Sequence, residues 1–256
     1  MEATLGRILD NEVEGAVNLR DLGGHATPAG RVRHGLVYRS AMTHHITPAG
    51  LSGLSETLGI RTVVDFRNPS ELEADGVAPF DTVGIRHKNF AVSAQTVTTP
   101  EEQRARLHAI RDGQVSWNVL YTQMTQTGRD AFAGFFNELA DAESLPLLFH
   151  CTGGRDRTGI AAALLLASLG VSDDDIAHDY SLTGAALVPH IDRFDRNMRE
   201  MDMTREQWNQ LVATTPEPIH EFLGSVRSEY GGVTEFLATL GVGLSMQRHI
   251  RERLVA

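Results

Sequence analysis

Residues 145–170 read LPLLFHCTGGRDRTGIAAALLLASLG. Leu145 to Cys151 is an apolar run of strand length, and Ile160 to Leu169 is an apolar run of helix length that Gly170 ends. Between them lies His150-Cys151-Thr152-Gly153-Gly154-Arg155-Asp156-Arg157-Thr158-Gly159. A buried strand feeding a buried helix through a glycine-bearing turn belongs to an α/β sheet. The turn is also a ready anion site. The first turn of the helix has amides without intrahelical partners and carries the positive end of the helix dipole. Gly153 and Gly154 let successive N–H groups curl inward as a nest. Arg157 can offer a planar fork to two oxygens.

Cys151 is the only cysteine, so no disulfide forms within the chain. A lone cysteine is commonly a small buried apolar residue. Here the field that would hold a phosphate would also favour a thiolate. A thiolate at the floor of such a cradle sits below a bound phosphorus, placed for in-line attack. The core-filler reading must explain Gly153, Gly154, Arg157, Thr158 and the strand–loop–helix context all together.

Working outward, strands and helices alternate. Leu36 to Ser40, Ile60 to Phe66 and Ile85 to Phe90 read as strands. Thr47 with Pro48 reads as a helix start that Gly59 stops, and Asn68-Pro69-Ser70-Glu71 as a turn or a second start. Residues 101–111 and 116–140 carry helical periodicity with glycine breaks. After Gly170, Ser172 and Asp175 resemble a capping box, and 173–256 is helical by pattern. No repeat, low-complexity tract or linker composition appears. The expectation is an α/β sheet with extra helices in one unit, residues 1–256.

The chain has 256 residues, 41% of them apolar and 22% charged, ordinary for a globular protein. A net charge of −10 argues against nucleic acid or anionic membranes as nonspecific partners. The polar, acidic start lacks the regions of a signal peptide, and the longest apolar stretch, Ile160 to Leu169, is too short for a bilayer. A cytoplasmic location without stable membrane insertion is expected, with export lacking a cleaved signal left open. The histidines other than His150, His44-His45 included, show no metal-ligand spacing, so no metal or other cofactor is expected.

Cys151 to Arg157 is the C-x5-R signature of the protein tyrosine phosphatase superfamily, and HCTGGRDRTG resembles its HC-x5-R-T/S-G form. More narrowly, the chain resembles bacterial tyrosine phosphatases with dual protein and phosphoinositide activity. Asn18-Leu19-Arg20-Asp21-Leu22-Gly23-Gly24, Val37-Tyr38-Arg39-Ser40 and Val64-Asp65-Phe66-Arg67 with Ser70-Glu71 are similar to that group's other elements. The resemblance implies a mostly parallel central sheet flanked by helices, with lid-like elaborations near 100–142 and 180–230 and C-terminal helices. It also implies two chemical steps, formation of a cysteinyl-phosphate on Cys151 and its hydrolysis by water. Arg157 and the amides of Thr152, Gly153 and Gly154 would stabilise the phosphoryl oxygens. Thr158 would donate to the departing sulfur or cap the helix. The loop's own positive field would make a metal unnecessary.

No W-P-D triplet is present, since Trp117 and Trp208 each precede Asn. Asp156 is the leading general-acid candidate, its alternative being to pair with an arginine and shape the loop. Asp65 is second, with pairing to a local arginine such as Arg67 as its structural alternative. Arg155 stands where the narrower group has Lys, and would meet a second phosphate or an acidic group, or else be a solvated loop residue. His150, by strand alternation, points away from Cys151 and would orient the loop. Arg20 and Asp21 are expected as scaffold near the site. The substrate would be a phosphotyrosyl protein, with phosphoserine/threonine or phosphoinositide tolerance. The competing functions are a non-catalytic phosphate-binding module and a rhodanese- or arsenate-reductase-like enzyme. Arsenate reduction normally needs resolving cysteines, which are absent, and rhodanese loops lack the R-T-G ending.

Overall fold

The computed structural model describes residues 6–93 and 99–256. Along the chain come β1 (Arg20–Asp21), a ribbon of β2 (Ala26–Thr27) and β3 (Gly30–Arg31), β4 (Val37–Ser40), α1 (Pro48–Ser52), β5 (Thr62–Asp65), α2 (Pro69–Asp75) and β6 (Arg86–Asn89). Then come α3 (Pro100–Arg111), α4 (Trp117–Thr127), α5 (Arg129–Ala140), β7 (Leu147–His150), α6 (Asp156–Leu169) and α7 (Asp173–Leu187). The chain finishes with α8 (Asp195–Glu200), α9 (Arg205–Val212), α10 (Glu217–Tyr230), α11 (Val233–Thr239) and α12 (Leu244–Leu254).

The main sheet runs β1-β4-β7-β5-β6. Strand β7 lies between β4 and β5, parallel to both, β5 is parallel to β6, and only β1 is antiparallel. Parallel strands are buried on both faces, which is why β5 and β7 read as continuous apolar runs. Alternation splits them. Leu147, Phe149 and Val64 join the core under α4–α7 and α10–α12, whereas Leu148 and Val63 join a second core with Leu51, Leu54 and Phe80. Helix α6 is buried nearly all round, and Gly170 ends it in the left-handed conformation at φ 92°.

Some boundaries differ from the sequence reading. Residues 60 and 66 are buried, but β5 covers only Thr62–Asp65, because apolar pattern reports burial while a strand ends where pairing ends. The run 116–140 is two helices parted at Gly128, where a Cβ would lie 2.7 Å from the Met124 carbonyl. Thr47 caps α1, which passes into a wider turn over Gly53–Thr57 before Gly59 turns the chain at φ 65°. Ser172 caps α7 by accepting from the Asp175 amide. Two-residue strands leave no periodicity, so β1 and the ribbon were not legible. Among the described residues, no helix is long and apolar enough to cross a membrane.

Candidate active site

Strand β7 ends at His150 and α6 begins at Asp156, so residues 151–155 are the loop between them. Its carbonyls all have partners in the scaffold. The Cys151 carbonyl meets Nδ1 of His150 at 3.1 Å. That of Thr152 accepts from the Met42 amide at 2.9 Å, and that of Arg155 from the Gly159 amide at 2.7 Å. Asn18 Nδ2 reaches the Gly153 carbonyl at 3.5 Å, and Arg39 donates to the Gly154 carbonyl at 2.8 Å. A carbonyl and the following amide share one plane and point opposite ways. Tying the carbonyls outward therefore turns the amides of residues 152–156 inward. Among the described residues, none of those amides donates to a protein acceptor. Gly154 makes the turn possible. It sits at φ +64°, and a Cβ there would lie 2.4 Å from the Ser40 carbonyl.

Behind the loop stands a buried charge cluster. Asp179 of α7 accepts from Arg39 at 2.5 Å and from Nε of Arg20 at 2.7 Å, and all three are essentially inaccessible. Burial works to raise the Asp179 carboxyl, but Arg20 and Arg39 outweigh it and hold it well below its ordinary value. Arg20 also bonds Thr183 and Asn18. Asn18 occupies the left-handed region at φ 57°, which asparagine tolerates, and this aims its amide at the loop. Arg20, expected as scaffold, is one end of this cluster. Asp21, at the end of β1, accepts from the amides of Gly23 and Gly35 and pairs with His34, which ties its side chain to the segments that follow β1 rather than to the loop.

On the open side, Arg157 is gripped by Glu71. The Glu71 carboxylate accepts from NH1 at 2.5 Å and NH2 at 2.7 Å, and from the Thr152 hydroxyl at 2.5 Å. Glu71 is also the third residue of α2, where it completes a capping box by accepting from the Asn68 amide at 2.9 Å. Burial pushes this carboxyl up, but the Arg157 cation and its bonds overcome that and bring it down to about 2. The Nε edge of Arg157 carries none of these bonds. Glu71 is absent from the residues picked for the site, although an Asn-Pro-x-Glu start just after the Asp65–Arg67 strand end was a signal for it.

Arg155 and Asp156 are seized by helix α4. The Arg155 guanidinium lies 4.1 Å above the Trp117 ring, donates from Nε to Asp156 Oδ1 at 3.1 Å and from NH1 to the Leu211 carbonyl, and is only 5% exposed. This overturns the solvated-loop alternative, and its bonds leave Arg155 little freedom to seek a second phosphate. Asp156 also accepts from the Tyr121 hydroxyl at 2.8 Å, and that hydroxyl lies 2.5 Å from the hydroxyl of Tyr180.

The hydroxyl of Thr158 is buried without a hydrogen-bond partner, so neither the sulfur bond nor a cap is formed. His150 faces the second core. Its Nδ1 must carry the proton to bond a carbonyl, and Nε2 lies 3.4 Å from Thr43 and 3.5 Å from Asp65. Burial brings its pKa down to about 4, so the ring is neutral at physiological pH. Asp65 is fully buried and clasped by Arg67 through the amide, Nε and NH2. Asp65 does not line the cavity, and its bonds are those of the structural pairing with Arg67. Contrary to the sequence spacing, Asp65, His87 and His150 bring three ligand-type atoms within 4.8 Å of one another. A dication there would sit against the permanent Arg67 cation in a buried place, so the charges do not favour one.

A cavity of about 400 Å³ opens over the loop. Cys151, Thr152, Gly153, Asp156 and Arg157 line it, with walls from α3, α4, α8 and α9 that include Trp117, Leu120, Met124 and Trp208, and with Phe194 from the turn just before α8. The two helical stretches expected as elaborations thus border the site. Cys151 is 3% exposed and belongs to the apolar core on one side and to this cavity on the other.

The sequence is similar to those of known proteins. A protein of Cupriavidus necator named as a tyrosine-protein phosphatase is 41% identical over 167 residues, 64% of this chain and 59% of that one. A tyrosine-protein phosphatase of Nostoc commune is 29% identical over 139 residues, covering 52% and 47%. The chain therefore matches roughly half the length of these two relatives. The triple specificity protein phosphatase PtpB of Mycobacterium tuberculosis is 26% identical over 239 residues, covering 86% and 85%. The family profile described as "Tyrosine phosphatase family" matches residues 11–256, and the chain belongs to that family.

Proposed function

We propose that this chain is a protein tyrosine phosphatase that hydrolyses phosphate monoesters through a cysteinyl-phosphate on Cys151. The observation that carries the reading is the ring of inward amides at residues 152–156, without protein acceptors, around the cysteine. Such donors stabilise charge on the equatorial oxygens without reorganising during the reaction. In the first step the Cys151 sulfur forms a bond to phosphorus while the ester P–O bond breaks. The leaving oxygen takes a proton from Asp156, whose Oδ2 is free of the bonds that occupy Oδ1. In the second step water attacks phosphorus, gives its proton to Asp156, and expels the sulfur. The unpartnered Thr158 hydroxyl can rotate to meet the charge that develops there. Glu71 fixes the plane of Arg157 and leaves the Nε edge for the phosphoryl group.

The apolar walls of Trp117, Leu120, Met124 and Phe194 suit the ring of a phosphotyrosyl side chain. The name of the PtpB relative supports some tolerance for other phosphate esters. Because Arg155 is already engaged, phosphoinositides carrying several phosphates are the weaker substrates of this set.

The test is turnover of para-nitrophenyl phosphate and a phosphotyrosyl peptide, with acid-quenched intact mass to detect one phosphoryl group on Cys151. Cys151→Ser is expected to abolish both turnover and the adduct. Wild-type turnover in that variant removes the mechanism, and phosphate binding without turnover by the native chain makes it a binding module.

A further inference from the structure

Helix α4 carries Trp117 and Tyr121 four residues apart, hence on one face. Each takes hold of one charged residue of the loop. Trp117 lies against the Arg155 guanidinium, and Tyr121 donates to Asp156. Tyr121 has one hydroxyl proton, and it goes to Asp156 Oδ1, the oxygen that accepts whether or not Oδ2 carries a proton. The contact at 2.5 Å must then be a bond donated by Tyr180 to Tyr121. The two tyrosines are fully or nearly fully buried. Burial raises the pKa of Tyr121 well above its ordinary value, and that of Tyr180 to about 12, so both remain proton donors across the physiological range. The result is a directed relay: Tyr180 to Tyr121 to Asp156 Oδ1, with Arg155 Nε donating to the same oxygen.

A carboxyl group in a cavity can rotate, and a rotating group delivers its proton to the leaving oxygen only part of the time. Two donors on Oδ1 fix the plane of Asp156 and leave Oδ2 as the oxygen that carries the proton. They also receive the negative charge that remains on the carboxylate after transfer. We infer that Tyr121, held by Tyr180, is the positioning residue for the proton donor, and that α4 enters the active site for this purpose. The inference rests on the reading of Asp156 as the general acid.

The test separates the two by leaving group. A phenolate such as tyrosine needs a proton as it departs, whereas 2,4-dinitrophenolate does not. Asp156→Asn is expected to lower kcat/KM, which reports the step that breaks the ester bond, about a hundredfold or more on phosphotyrosine, and less than about tenfold on 2,4-dinitrophenyl phosphate. The hydrolysis step that follows is common to both esters and lies outside this comparison. Tyr121→Phe keeps the ring and deletes the donor. Its expected effect is about a tenfold fall on phosphotyrosine with little change on the dinitrophenyl ester. In an Asp156→Asn background the same change should add nothing. Tyr180→Phe, which leaves the Tyr121–Asp156 bond but removes its support, should show the same split at smaller size. It also serves if Tyr121→Phe melts early. Equal losses on both esters for the tyrosine variants, beside a clear split for Asp156→Asn, overturn the positioning role and leave Asp156 as the acid. No split for Asp156→Asn overturns the acid assignment and the relay with it, while the Cys151 adduct continues to report on the phosphatase reading.

Discussion

Two arginine–carboxylate pairs flank the Cys151 loop, and they are built for opposite purposes. Arg39 and Asp179 lie behind it, fully buried, with Arg20 as a second cation and the Gly154 carbonyl as the thing held. Arg157 and Glu71 lie in front, lining the cavity, with one guanidinium edge left unbonded. The rear pair uses its charge to orient peptide planes, so its effect on chemistry is indirect. On the proposed reading, the front pair offers its charge to a substrate. A buried ion pair is costly to break because one partner is left uncompensated, whereas a pair at a cavity can lose a member and be rehydrated. The lesson is that the same residue types separate into stability and catalysis according to access to water.

Breaking each pair should expose the difference. Asp179→Asn strands two buried guanidiniums and is expected to lower stability by about 3–5 kcal/mol, read from the denaturant midpoint. A shift under 1 kcal/mol would mean that Arg20 and Arg39 find other partners. Arg157→Lys keeps the charge but loses the fork. Its expected signature is a fall in kcat of about 10²–10³-fold with a nearly unchanged melting temperature. A variant that is inactive because it has melted would erase the contrast with the rear pair. Glu71→Gln is the gentlest, with about a tenfold loss of rate from a loosened Arg157. It also has a pH signature. The Glu71 carboxyl is depressed from 4.5 to about 2, so its stabilisation is complete above 4.5 and is lost as pH falls toward 2. Across that window the Gln variant should lose less stability than the native chain. Parallel acid-denaturation curves for the two proteins would contradict the Glu71 role.

What the sequence could and could not disclose follows the same division. Strand β7, the loop and α6 were legible because one continuous segment carries all three, and the anion-binding logic of that segment is local. Cys151 and Arg157 stand out in the sequence for that reason. Asp179 was not, because it meets Arg20 and Arg39 across 159 and 140 residues of chain. An aspartate at mid-helix has no pattern that marks it as a counter-ion. Tyr121 was hidden in the same way, since an amphipathic helix face predicts packing and says nothing about a hydroxyl at its centre. Neither reading of Arg155, a contact to a second phosphate or a solvated loop residue, foresees its partners, because the aromatic ring that covers it comes from α4. The Asp65–His87–His150 juxtaposition required the sheet order, which places β5 between β6 and β7.

Asp179 and Tyr180 are neighbours on α7, yet one reaches the rear of the loop through Arg39 and the other reaches its front through Tyr121. The same helix is kept close by Gly159, where any added methyl would meet the Tyr180 ring at 2.9 Å. Sliding α7 by a fraction of a turn would thus slacken the amide ring and swing the Asp156 carboxyl in one movement. The two sides of the loop share a single ruler, and natural variation along α7 should be constrained at adjacent positions for two unrelated chemical reasons.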